Sequence, residues 1–186
     1  MEEIIKIVEI LQAGGIILYP TDTVWGIGCD PTNEQAVQKI YDLKRRTDSK
    51  AMLLLTDSMA KVQAYVTDVP DVVWDLVECA EKPLTVIYPQ GRNLATNLMA
   101  QDGSVGIRIT NEAFSKQLCM RFKKPIVSTS ANVSGQPTPA FFDEISEEIK
   151  AGVDYIVQAR QDDREKKQPS SIIKFEKNGT FAIIRE

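Results

Sequence analysis

The 186-residue chain contains no histidine. This removes Ser-His-Asp and Cys-His nucleophile systems and every histidine-based metal site. It also removes the one side chain whose ordinary pKa lies near neutrality. Carboxylates, hydroxyls, amides, lysine and arginine remain, a set better suited to holding charged substrates than to shuttling protons. Cysteine is scarce as well. Cys29, Cys79 and Cys119 are odd in number, widely spaced and set among apolar neighbours, so they read as buried thiols rather than disulfides or metal ligands. Excess positive charge is absent too: 22 Lys and Arg stand against 26 Asp and Glu, a net charge of -4. Indiscriminate nucleic-acid binding is disfavoured, and any anion site must be local. No stretch is long and apolar enough for a secretory signal or a membrane span, and the acidic start Met-Glu-Glu leads into an amphipathic segment. The expectation is a cytoplasmic protein with no membrane partner.

With 43% hydrophobic residues, the chain can bury one sizeable core, read as a single domain over 1–186. Ile4, Ile7, Val8 and Leu11 fall at helical spacing before Gly14-Gly15, which predicts a helix over 3–13. Extended segments are expected at 16–19 and 24–29, separated by the turn chemistry of Pro20-Thr21-Asp22-Thr23. Thr32 and Gln35 suit a capping box for a helix over 33–45, whose apolar face runs through Val37, Ile40 and Tyr41 onto Lys44. Further strands are predicted at 52–55, 84–88, 105–109, 126–129, 155–157, 171–174 and 180–184, with helices at 70–80, 112–122 and 141–150. Residues 160–169 read as a polar loop. This is an α/β pattern, a sheet covered by helices.

Three constellations carry chemistry. Lys44-Arg45-Arg46 and Lys50 gather four cations at a helix end, where they either complement the helix carbonyls or serve an anion. Lys44 continues the buried stripe, and a cation aimed inward needs an anionic partner from protein or ligand. The strand at 126–129 empties into Ser128-Thr129-Ser130-Ala131-Asn132, either an ordinary turn or a cluster of donors for phosphate or carboxylate oxygens. Ser104-Val105-Gly106-Ile107-Arg108 repeats the theme. Arg108 there is either a bidentate carboxylate clamp or the partner of a structural acid. No Walker A motif is present, and Trp25-Gly26-Ile27-Gly28 lacks the rest of a dinucleotide fingerprint.

Taken in order, Tyr19-Pro20-Thr21-Asp22-Thr23-Val24-Trp25-Gly26, Lys44-x-Arg46 and Ser128-Thr129-Ser130-Ala131-Asn132 closely resemble the motifs of the YrdC family of threonylcarbamoyl-AMP synthases. The similarity continues through Lys82-Pro83-Leu84-Thr85, Val105 to Arg108, Ser170 to Ile173 and Ile183-Ile184-Arg185, covering nearly the whole chain. The resemblance implies a twisted mixed sheet surrounded by helices, of α+β type, around a large basic cavity. It implies an enzyme that makes threonylcarbamoyl-AMP and pyrophosphate from L-threonine, bicarbonate and ATP, with Mg2+ carried by the ATP. A downstream transferase then passes the group to tRNA. Carried over by position, Thr23, Arg108, Ser128 and Ser170 would meet threonine. Lys44, Arg46, Lys50, Ser104, Ser130, Asn132, Thr138 and Arg185 would meet ATP, with Lys44 and Arg46 in the catalytic role and no protein-held metal.

Two departures from the family pattern stand out. Thr47 and Ala51-Met52 replace the prolines common after Lys-x-Arg, and Leu55 stands where many relatives carry a histidine. The chain also resembles the short bacterial form, without a second C-terminal domain. The competing expectations are a double-stranded RNA-binding protein using Lys44 to Lys50, Arg121 to Lys124 and Arg164 to Lys167, and a regulator that senses nucleotide without turnover. Against RNA stand the acidic balance and the absence of an aromatic-rich RNA motif.

Overall fold

The computed structural model describes residues 2–46 and 52–186. The first helix, α1 (Glu2–Gln12), forms where predicted because Ile4, Ile7 and Leu11 bury one face. It ends at Gly14, whose φ of 78° is left-handed backbone that glycine adopts without a steric penalty. Strands β1 (Ile17–Tyr19) and β2 (Gly26–Gly28) follow, then α2 (Glu34–Lys44), β3 (Leu53–Thr56), α3 (Met59–Tyr65) and α4 (Asp71–Glu78). Next come β4 (Leu84–Tyr88), β5 (Val105–Ile109), α5 (Ala113–Phe122) and β6 (Ile126–Ser130). A short 3-10 turn at Phe142–Glu144, α6 (Glu147–Gly152), β7 (Tyr155–Ile156), β8 (Ser171–Phe175) and β9 (Phe181–Arg185) complete the order.

The strands join in one nine-stranded sheet with the order β7-β1-β2-β6-β3-β5-β4-β8-β9. Pairs β1–β7, β3–β5 and β4–β8 are parallel and the remaining pairs antiparallel, so the sheet is mixed, as expected. Helices cover it: α1 packs on α5, α3 and α5 pack on β3, and α2 packs on α6. A core running from Ile7 and Leu11 through Leu54, Val86 and Ile107 to Phe175 holds the layers together.

Several local expectations are corrected. Asn33, not Thr32, caps α2, its side chain accepting from the Ala36 amide. Thr32 is drawn away by Asp30, whose Oδ1 accepts from both the Thr32 amide (2.8 Å) and its hydroxyl (2.6 Å). The helix expected over 141–150 is divided, because Ile145 is extended and Ser146 starts a new N-cap, accepting from the Ile149 amide. Helix α3 has no clear sequence signature. It is seven residues long, buries only Val62, and Ser58 makes no side-chain cap. Cys29 and Cys119 are buried as expected, but Cys79 is exposed at the end of α4.

Candidate active site

Residues two apart on a strand share a face, and the central strands use this to build the floor of a cavity of about 800 Å³. Leu53 of β3, Thr85 and Ile87 of β4, Gly106 and Arg108 of β5, and Ile172 and Lys174 of β8 all line it. A side chain at Gly106 would find only ordinary contacts, the nearest atom 3.5 Å away, so packing does not demand the glycine. Its effect is to leave the floor low. Around this apolar floor stand Arg46 at the end of α2, Thr23 in the β1–β2 turn, Ser130 at the end of β6, Thr138, and residues of the 160–169 loop. The cavity is at the large end of small-molecule sites.

Its charge is one-sided. Arg46, Arg108, Lys166, Lys167, Lys174 and Arg185 line it, and among the described residues no Asp or Glu does. Nor do the described residues contain a group of three or more His, Cys, Asp or Glu that could hold a metal ion. The lining therefore suits an anion.

Arg108 is 3% exposed and donates through Nη2 to Asp22 Oδ1 (2.8 Å) and to Thr23 Oγ1 (3.3 Å). One edge of its guanidinium is thus taken by a structural acid, while its Nε is buried with no hydrogen-bond partner. Ser170 shares a hydrogen bond with Thr85 (2.9 Å) and accepts from Arg185, through its carbonyl to Nε (2.8 Å) and its hydroxyl to Nη2 (3.2 Å). Arg185 reaches this face through an irregularity in the ladder. Ile173 pairs with Ile183 but Ile172 pairs with Arg185, so Ile184 is an extra residue and Arg185 falls on the side of Ile172 and Lys174.

The expected site residues divide into two groups. Thr23, Arg46, Ser104, Arg108, Ser130, Thr138, Ser170 and Arg185 line the cavity together. Lys44, Ser128 and Asn132 do not. Lys44 is 3% exposed, and its ammonium donates to the carbonyls of Ser130 (2.5 Å) and Asn132 (2.6 Å), while its own carbonyl accepts from the Ser134 amide (2.9 Å). The inward cation therefore finds partial charges of the backbone in the Ser-rich loop. Asn132 closes the same loop, its Nδ2 donating to the carbonyls of Val133 and Gln136, and its Oδ1 is buried without a partner. Ser128 lies behind the wall, its hydroxyl 3.2 Å from where a Cβ on Gly26 would stand. Leu55 is fully buried in register with Arg108 and does not line the cavity, whereas Leu53 does. Lys50, Thr47 and Ala51 lie outside the described residues.

Sequence reasoning missed Thr85, Lys166, Lys167 and Lys174 as lining residues. The loop lysines had been grouped as a candidate RNA patch. In the structure Arg164 pairs with Asp143 (2.6 Å), Lys167 pairs with Glu165 and Lys124 pairs with Asp30 (2.7 Å), so the basic runs are largely answered by local acids. Thr85 stood in the Lys82-Pro83-Leu84-Thr85 stretch of family similarity, but no role was attached to it. Burial pushes the thiols of Cys29 and Cys119 and the phenol of Tyr19 far up, which leaves these groups neutral and inert. No helix of the described residues is long and apolar enough to cross a membrane.

Comparison with known proteins agrees with this geometry. Residues 9–186 match the family Sua5_yciO_yrdC, described as "Telomere recombination". The chain is 37% identical over 150 residues to a threonylcarbamoyl-AMP synthase from Pseudoalteromonas translucida, covering 79% of this chain and 80% of the relative. It is 33% identical over 172 residues to one from Acinetobacter baumannii, covering 89% of both. The crystal structure of E. coli YciO shares its fold with a TM-score of 0.83 at 24% identity, over 98% of this chain and 88% of that one. Sua5 of P. abyssi complexed with L-threonine superposes with a TM-score of 0.81 at 21% identity. It covers 92% of this chain but only 50% of that longer one.

Proposed function

From the premise that the chain belongs to the Sua5/YciO/YrdC family, we propose that it is an L-threonylcarbamoyl-AMP synthase. The observation that carries the reading is the cavity itself: among the described residues, six cations and no carboxylate line it, in a chain whose net charge is -4. A site built this way holds polyanions and stabilises charge that builds on them.

The proposed chemistry needs no protein nucleophile. The neutral amine of threonine attacks the carbon of bicarbonate, forming a C–N bond and losing water, which gives the carbamate. A carbamate oxygen then attacks the α-phosphorus of ATP in line, and the bond to the bridging oxygen of the β-phosphate breaks. Threonylcarbamoyl-AMP forms and pyrophosphate leaves. We assign the threonine carboxylate to Arg108, on the guanidinium edge left open by Asp22, with Thr23 and Ser170 beside it. Arg46 and Arg185 are assigned to the phosphates, and Ser104, Ser130 and Thr138 to hydrogen bonds with the nucleotide. Lys44 and Asn132 act one step back, by shaping the loop that presents Ser130. Mg2+ would enter as the ATP complex, held by the phosphates, with no carboxylate among the described lining residues. The product passes to a tRNA threonylcarbamoyl transferase in the cytoplasm.

The test is pyrophosphate release by the purified chain with ATP and Mg2+, leaving out L-threonine or bicarbonate in turn. Release is expected only when both are present, with threonylcarbamoyl-AMP detected by mass. Release indifferent to threonine would refute the synthase reading.

A further inference from the structure

We propose that Lys167, on the 160–169 loop, is the bicarbonate and carbamate contact of this site, a role that rests on the synthase reading above. Bicarbonate is the one substrate that no residue so far described accounts for. It needs a cation beside the threonine amine, not beside the triphosphate.

Of the other five cavity cations, three are already committed. Arg108 is held by Asp22, Arg185 spans Ser170, and Lys174 lies 3.4 Å from both Asp102 and Glu176. Lys167 differs in place and in partner. It lines the main cavity together with Thr23 and Arg108, and again lines a small pocket that Thr23 and Val24 share with Arg160. It then faces a side pocket of about 350 Å³ on the far side of the Asp22–Arg108 pair, lined also by Glu112 and Asp163. Lys167 thus stands at the amino-acid end, at the junction of three spaces.

Its present partner is Glu165, two residues away on the same loop and 71% exposed at the side chain. The Lys167 side chain is itself only 29% exposed, but its partner carboxylate is solvated, so a desolvated anion in the cavity can take the ammonium from it. The base of the loop is firmer. Arg160 donates to Asp163 (2.7 Å) and to the Thr21 carbonyl (3.1 Å), and pairs with Glu112 (3.2 Å). This ties the loop to the turn that carries Thr23. An anion held by Lys167 next to Thr23 lies where the amine of a threonine gripped by Arg108 would meet it. Once water has left, the same ammonium neutralises the carbamate until its oxygen bonds to phosphorus.

The test is steady-state pyrophosphate release by Lys167→Ala and Lys167→Arg, titrating bicarbonate, threonine and ATP separately. Loss of one charge-assisted hydrogen bond predicts a KM for bicarbonate raised about tenfold or more in Lys167→Ala. The KM for threonine and for ATP should stay within about twofold, and Lys167→Arg should recover most of the bicarbonate affinity. A general loss of positive field would act in the opposite order, weakening the polyanion ATP more than the monoanion bicarbonate. An ATP effect exceeding the bicarbonate effect, or an unchanged bicarbonate KM, overturns the proposal while leaving the synthase reading intact. Wild-type protein that releases pyrophosphate without bicarbonate overturns both.

Discussion

Lys44 offers the sharpest test of how the site is built, because two roles for it predict different measurements. If its ammonium neutralises a phosphate, removing it slows turnover and leaves the folded chain as stable as before. If it holds the Ser-rich loop, the loop loosens. The structure supports the second role: the ammonium is 2.5 Å from the Ser130 carbonyl and 2.6 Å from that of Asn132, in a side chain 3% exposed. Lys44→Met keeps the apolar stem and removes both bonds. Hydrogen bonds to a charged donor contribute about 1.5–3 kcal/mol each; the Asn132 carbonyl would lose this donor, while that of Ser130 would keep the Asn132 amide (2.9 Å). Allowing for water entering at the loop and for the cost of burying the ammonium, a net loss of about 3 kcal/mol is expected. In a chain of this size that lowers Tm by roughly 6–12 °C. Thermal unfolding by circular dichroism reads the Tm, and pyrophosphate release measured well below it reads the consequence for Ser130. A Tm within about 1 °C of wild type together with a large fall in kcat would refute the loop role and restore a direct phosphate contact.

Three further measurements follow from buried and bridging groups. Because burial raises the thiols of Cys29 and Cys119, only Cys79 should react with a thiol reagent at pH 8 in the native protein, and all three in denaturant. Two or more fast native thiols would contradict the packing of β2 and α5. The same shifts set the sign of alkaline stability: the folded state keeps these thiols and the phenol of Tyr19 protonated where the unfolded chain releases them. Tm should therefore be insensitive to these groups below about pH 8 and fall as pH rises past about 9. A Tm unchanged from pH 8 to 11 would refute the burial. Arg185→Lys cannot reproduce two bonds to Ser170, so the KM for ATP should rise about tenfold with little change in Tm. An unchanged KM would remove Arg185 from the site.

Much of the fold was legible because its elements announce themselves locally. Ile4, Ile7 and Leu11 carry the period of α1, and the strands at 84–88 and 105–109 match their predicted bounds. What escaped was decided by competition or by distance. Thr32 looked like a cap until Asp30, two residues away, proved the stronger partner. Helix α3 leaves little trace in a seven-residue window that buries one side chain. The ordered motifs pointed to eight residues that do share the cavity, yet Thr85 and Lys174 join them only through the pairing of β4 with β5 and β8. The position of Lys44 shows the limit most clearly. Periodicity correctly placed its ammonium inside, but which oxygen it meets depends on a loop more than eighty residues further along the chain.

The net charge of the chain conceals the sign of its site because the acids are set behind the cations they hold. Asp22 pairs with Arg108, Glu165 with Lys167, and Asp102 and Glu176 with Lys174. None of these acids lines the main cavity; they line the side pockets around it. The buried Asp22 fixes Arg108 from outside, so its orientation is set before an anion arrives, whereas the solvated Glu165 holds Lys167 loosely enough to release it. The arrangement also explains why the missing histidine is no handicap. Holding an anion and stabilising its charge need no side chain that titrates near neutrality. The proton balance of the reaction then falls on the substrate amine, whose neutral form is the one that can attack.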